Sequence, residues 1–221
     1  MFDKRSKRGR IKTRDDSRHA FEEVPRQSST NMDFTRTVLA RRMVRAFKPD
    51  PVPREKLKRI LSLAQHYPSA GYSQEVTYVV ITNKEKREKV RKLRDLRSDA
   101  PVLLIPCVSE KIVHDRYREP DKIRSGGKEI DWPIPFWYFD VGCSCMLIFL
   151  AAVNEGLAAG FAGSVGIFKP SILRKELGIP EHYEPVGVLS LGYPDFGKDV
   201  PSPSLKRGRR SLKDFIHREE W

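Results

Sequence analysis

Residues 40–74 read ARRMVRAFKPDPVPREKLKRILSLAQHYPSAGYSQ, and the rest of the chain is best read outward from them. Arg41, Arg42 and Arg45 fall within five residues of one another. Pro49, Pro51 and Pro53 then break the chain, and Pro53 opens a helix with Leu57, Ile60, Leu61 and Ala64 on one face. That helix is expected to end near Tyr67-Pro68, before a loop of small and polar residues, 69–74. Upstream, Phe34, Val38, Leu39 and Met43 recur at helical spacing behind Asp33, a plausible N-cap. The arginine cluster is thereby predicted to close a first helix.

Downstream, β-branched residues at 77–82 (TYVVIT) predict a strand. Residues 84–96 read as a charged helix. Residues 100–108 (APVLLIPCV) form an apolar run that hardly alternates, as expected of a central strand. Residues 109–136 show little periodicity and include Gly126-Gly127, which points to a long functional or mobile connection. Residues 139–152 predict a helix apolar nearly all round, suited to a domain centre or a subunit interface. A glycine-rich turn or short strand (160–166, GFAGSVG), a short helix at 171–177 and a strand at 184–192 follow. The pattern predicts an α+β fold with about four strands and five or six helices.

The chain has 221 residues, with 42 Lys plus Arg against 29 Asp plus Glu, a net charge of +13. Residues 1–18 hold eight of the basic residues and three acidic ones. Residues 1–31 lack apolar periodicity and are expected to be a disordered or loosely packed basic tail, with residues 32–221 as the folded domain. Such a tail is either simply solvated or attracted to nucleic acid or anionic membrane. Three cysteines cannot staple a fold of this size, which points to a reducing, cytoplasmic interior. No signal peptide is visible. The longest apolar run, 141–153, falls short of the roughly 20 residues of a membrane span, so no membrane is expected as partner.

Common phosphate motifs are missing: there is no GxxxxGK[ST], and Gly160-Phe-Ala-Gly163-Ser-Val-Gly166 has the wrong spacing for a Rossmann turn. No metal site is expected. Cys143 and Cys145 would point about 200° apart on a helix, and the five histidines are scattered. Cys107 has no evident triad and is expected to be inert. The sharp signal is cationic: Arg41, Arg42 and Arg45 form one cluster, and Lys206, Arg207, Arg209 and Arg210 another far along the chain. Arginine forks match phosphate bidentately, so two converging clusters would make a clamp, whereas two separate ones would be solvated basic faces.

On these residues the chain resembles the nitroreductase family of flavin-dependent oxidoreductases. That family opens on an Arg-Arg-Ser-x-Arg-type motif, then Pro-Val-Pro before a helix, then Pro-Ser-Ala-Gly-Asn-Ser-Gln. The tail KRGRRSLKDFIHREEW is similar to the family's closing arginine-rich segment and final strand, and residues 150–160 and 186–195 fall in the family's order. The resemblance covers about residues 33–221. It implies a mixed sheet wrapped by helices and an intertwined homodimer whose two chains together build each FMN site.

Carried onto this sequence, the resemblance lays Arg41, Arg42 and Met43 along the FMN phosphate and ribityl chain, with Arg207 and Arg209 completing the clamp. Arg45 would face N1 and O2 of the ring, where reduction leaves negative charge that a fixed cation stabilises. Pro68, Ser69, Ala70, Tyr72 and Gln74 would approach from the other subunit. Gly163, Ser164, Val165 and Gly166 would pass near N5. Three features depart from the family pattern: Met43 stands for Ser, Tyr72 for Asn, and Glu75-Val76 for Pro-Trp. Residues 109–137 would form a variable cover whose Tyr117, Trp132, Phe136 and Trp137 either stack on a planar acceptor or simply pack together. The implied activity is hydride transfer from NADH or NADPH through FMN to a small acceptor such as a nitroaromatic or quinone, by a ping-pong mechanism. A dehalogenase or flavin-fragmenting synthase of the same fold is the nearest alternative. A nucleic-acid-binding protein is the alternative from another class; no aromatics interleave the basic tail, and no specific nucleic acid is expected.

Overall fold

A computed structural model describes residues 33–123, 127–163 and 170–221. The basic tail 1–31 lies outside the described residues. In chain order come α1 (Phe34–Ala40), α2 (Arg54–Ala64), β1 (Val76–Ile81), α3 (Lys84–Arg94), β2 (Val102–Val108), α4 (Glu110–Tyr117), α5 (Phe136–Asn154), β3 (Ala158–Gly163), α6 (Pro170–Leu177), β4 (Glu184–Pro185) and β5 (Gly187–Gly192). The fold is the α+β arrangement that the sequence leads one to expect.

The sheet runs β1-β2-β5-β3, with every neighbouring pair antiparallel and β4 also on β2. A parallel bridge, Met43 to Ala159, adds the segment after α1. β2 is buried along its whole length, because helices cover both faces. Its side chains alternate between two cores. Leu103, Ile105 and Cys107 pack with Val90 of α3 and Leu173 of α6. Val102 and Leu104 pack with Leu57 and Ile60 of α2 and Ile148 of α5 on the opposite face.

The expected strand 184–192 is broken at Val186. β2 pairs Cys107 with Pro185 but Leu104 with Leu189, a register step of one residue, and the Val186 N–H donates to the Pro106 carbonyl oxygen at 3.0 Å. A proline in a central strand has no N–H to give, and the extra residue opposite it forms a bulge.

Two further expectations are corrected. Residues 110–117 form a helix where little periodicity had suggested only a connection; Ser109 caps it through the Ile112 N–H, and only Val113 is buried. Residues 208–221 contain no strand, although the resemblance implied a final one. α5 begins at Phe136, three residues early, and its 19 residues are long and apolar enough to cross a membrane. Its buried face instead packs on α2 and the sheet.

Candidate functional site

α1 stops at Ala40, so the arginine cluster does not sit on its last turn as the spacing had suggested. Arg41 turns extended at ψ 125°, its N–H still closing on the Thr37 carbonyl oxygen. Residues 41–48 then run as an extended segment laced into the fold by its backbone. Val44 N–H donates to the Ala159 carbonyl at 3.1 Å, Lys48 N–H to Tyr193 at 2.8 Å, and Ala46 accepts from Asp195 N–H at 3.0 Å. Asp199 accepts from both the Arg45 and Ala46 N–H groups, at 2.8 and 3.2 Å, and Asp99 accepts from Phe47 N–H at 3.1 Å. The approach to β3 is so close that a Cβ on Gly160 would stand 2.1 Å from the Val44 carbonyl oxygen. Only glycine fits there.

Buried Val44 and Phe47 anchor this segment while its arginines reach outward. The Arg42 guanidinium lies 4.5 Å above the Phe196 ring, and that of Arg41 is 5.9 Å from the Phe149 ring. Arg45 lines a cavity of ≈ 210 Å³ with Arg94, Arg97, Gly160, Phe161 and Ser190. Arg94 donates to the carbonyl oxygens of Ala162, at 3.3 Å, and Gly163. Burial lowers the pKa of its guanidinium. Three arginines around one cavity favour an anionic or electron-rich ligand edge. Arg94 and Arg97 were not singled out from the sequence, because they close a helix dense with charges whose exposed face looks solvated.

The loop 68–75 is built with equal care. Ala70–Tyr72 forms one 3₁₀ turn, and Tyr117 of α4 rests on Gly71, where a Cβ would stand 2.7 Å from its ring. Arg116 Nε donates to the Gly71 carbonyl at 2.9 Å, Gln74 N–H to Ser69 Oγ at 3.2 Å, and Ala70 N–H to Asp140 Oδ2 at 2.8 Å. Pro68, Tyr72 and Gln74 are exposed, with Tyr72 at 74%, while Ser69 and Ala70 are half-buried. Within one chain these residues therefore present a surface rather than line a pocket.

The cover aromatics pack on one another. Trp132 stands edge-on to Tyr117 at 4.6 Å and near Phe136 and Trp137 at 6.1 and 6.3 Å. Glu129 ties them down, accepting from Trp132 Nε1 at 2.8 Å and Arg118 Nε at 3.0 Å, and sharing a hydrogen bond with His114 Nδ1.

The second arginine cluster is held quite differently. A 3₁₀ turn, Pro203–Arg207, ends at Gly208, and every side chain from 203 to 221 is exposed, including Arg207 and Arg209. Among the described residues nothing encloses these two arginines against Arg41. Gly163 closes β3 opposite Gly187, whereas Ser164, Val165 and Gly166 lie outside the described residues. Among the described residues no group of His, Cys, Asp and Glu could hold a metal. Burial pushes the Cys107 thiol up to about 12 and that of Cys145 to about 11, so both are poor nucleophiles.

Residues 38–98 and 92–193 match the model of the nitroreductase family. The chain belongs to that family. It is 29% identical over 198 residues to an NADH dehydrogenase/NAD(P)H nitroreductase assigned in Methanothermobacter thermautotrophicus, covering 87% of this chain and 90% of that one. It is 26% identical to the FMN reductase [NAD(P)H] of Bacillus subtilis, covering 81% and 71%. A crystal structure of a nitroreductase family protein from Clostridium difficile superposes with a TM-score of 0.65 at 25% identity, covering 86% of this chain and all of the other.

Proposed function

We propose that this chain is an FMN-dependent NAD(P)H oxidoreductase that reduces a small acceptor such as a nitroaromatic or quinone. The observation that carries the reading is the backbone-locked segment 41–48, which offers three arginines beside a cavity lined by two more. The residues fit the cofactor: Arg41 and Arg42 suit the phosphate, and the cationic cavity at Arg45 suits the electron-rich edge of the ring. Bound there, FMN would supply the hydride chemistry between NAD(P)H and the acceptor. The chain's own task is to position and to supply field, since no side chain among these needs to shuttle covalent groups. Arg45 holds positive charge where negative charge grows, and Arg94 fixes the end of β3 beside it. With donor and acceptor using one site in turn, the kinetics are ping-pong.

A homodimer completes the site. Leu205, Leu212, Phe215 and Trp221 are exposed on the tail, Trp221 at 98%, and Phe34, Leu39 and Phe139 are exposed on α1 and α5. So much apolar surface calls for a partner, and a second copy would bring Arg207 and Arg209, and the 68–74 loop, to the neighbouring site. The test is direct. Purified protein should be yellow with bound FMN and sediment as a dimer; colourless protein that ignores added FMN, or a stable flavin-loaded monomer, overturns the corresponding half of the reading.

A further inference from the structure

The loop 68–75 departs from ordinary backbone preference at successive positions. Gly71, Tyr72 and Gln74 have φ of 59°, 60° and 53°, and the latter two are not glycine. Non-glycine residues hold the left-handed region only when their surroundings over-determine it. Beneath the loop lies Glu75, 0% exposed. Its Oε2 accepts from Ser73 Oγ at 2.6 Å, while its buried Oε1 has no donor in reach among the described residues. Asp140 of α5, 4% exposed, accepts from the Ala70 N–H and, adding to burial, pushes the Glu75 pKa up. An ionised carboxylate only accepts hydrogen bonds, so a buried oxygen without a donor beside a second carboxyl is satisfied when it carries the proton itself.

We infer that Glu75 is a proton-bearing positioning residue: neutral, it donates to the Asp140 carboxyl, and the pair clamps loop 68–74 in the strained form that displays Tyr72 and Gln74. The inference rests on the flavin reading only for what the loop is displayed to. The remaining groups around the pair leave it in charge of the loop. From the end of α2, the Tyr67 hydroxyl accepts from Val76 N–H, and burial, with Glu75 and Asp140 adding to it, raises its pKa so that it stays neutral. Cys143 of α5, half-buried, is raised by burial and by Asp140. Arg116 of α4 reaches the loop at the Gly71 carbonyl while its other nitrogens pair with Asp121 and Glu119.

Burial and then Asp140 push the Glu75 pKa up, against the hydrogen bond from Ser73. The folded chain therefore holds a proton here that the unfolded chain has released. The clamp is firm at low pH, weakens as pH climbs through the raised pKa of Glu75, and levels off above it.

Amide hydrogen exchange across the loop, measured from about pH 5 to about pH 9 on wild type and Glu75→Gln in parallel, tests this. Glutamine keeps the shape, donates to Asp140 and cannot ionise, and comparison at each pH cancels the ordinary base catalysis of exchange. The ratio of wild-type to variant exchange at Ala70 should rise about tenfold per pH unit through the transition. Asp140→Asn, which retains an acceptor for Ala70 but replaces the carboxyl facing Glu75 with an amide, should shrink the rise. Ratios flat across the range overturn the inference, as does an undiminished rise in Asp140→Asn. Should Glu75→Gln not fold, the Asp140→Asn arm decides alone. FMN release should follow the same profile in wild type. A protein that shows the loop profile but never binds FMN would defeat the flavin reading and leave the carboxyl pair standing; yellow protein with a pH-indifferent loop does the reverse.

Discussion

Residues 41–48 and residues 203–221 both carry arginine clusters, yet only the first is built into the body of the chain. The first segment is fastened by backbone bonds to Ala159, Tyr193 and Asp195 and by the carboxylates of Asp99 and Asp199. The second is exposed from end to end. A half-clamp that is rigid before the ligand arrives loses little entropy on binding, whereas the exposed half must be held in place by something else. In the homodimer proposed above that something is a second copy, and the contrast makes the two clusters separable by experiment.

The largest effect should come from attacking the built half. Gly160→Val places a Cβ against the Val44 carbonyl and forces the arginine segment off β3. A loss of about 3 kcal/mol is expected, lowering Tm by about 6–12 °C in a chain of this size, together with loss of FMN from purified protein. Thermal unfolding and flavin content check it together; an unchanged Tm would mean that the segment can move aside freely.

Next come the arginines themselves. Arg41→Ala and Arg209→Ala should each weaken FMN more than riboflavin, by about 1.5–3 kcal/mol, because a hydrogen bond to a charged phosphate is lost. Only the Arg209→Ala loss should shrink on dilution, since under the proposed dimer the wild type too loses the partner's arginine when the chains separate. Equal behaviour of the two variants at all concentrations would erase the distinction.

Asp199→Ala removes the acceptor for two N–H groups at Arg45 and Ala46 and should cost about 1–2 kcal/mol of stability, read as a shift in denaturation midpoint. Arg45→Met should produce the smallest change in FMN content and a specific change in redox behaviour. Phosphate charge is constant on reduction, whereas the ring's is not, so the flavin potential should fall by about 30 mV for each 1.4 kcal/mol of differential interaction. A redox titration that leaves the potential in place would put Arg45 outside the ring's field.

The central parts of this fold were legible because burial dictated their composition. β2 is an apolar run between layers, and α5 is apolar all round with one face packed on α2 and the sheet. The end of α1 was misread because Phe34, Leu39 and Met43 share a helical spacing that the fold does not use: Phe34 and Leu39 are exposed. α4 was missed because a short helix that buries only Val113 leaves almost no periodic trace. The first arginine cluster was visible as a cluster, but its geometry was not, since it depends on Asp99, Asp199 and Gly160, each far away in sequence. Glu75 was seen as a departure from the family pattern, and its partner Asp140 gave no sign within an apolar helix.

The distances along the chain at which the arginine segment is tied have a temporal side. Arg45 is held by a residue 154 positions later, and β2 finds its partner β5 across three helices and two strands. Pairings this remote form late in folding, because the loops they close are long. During synthesis residues 41–48 emerge early and wait as an untethered cationic stretch until residue 199 has followed. Any polyanion that meets the nascent chain in that interval meets the same arginines, before the fold has fixed them in place.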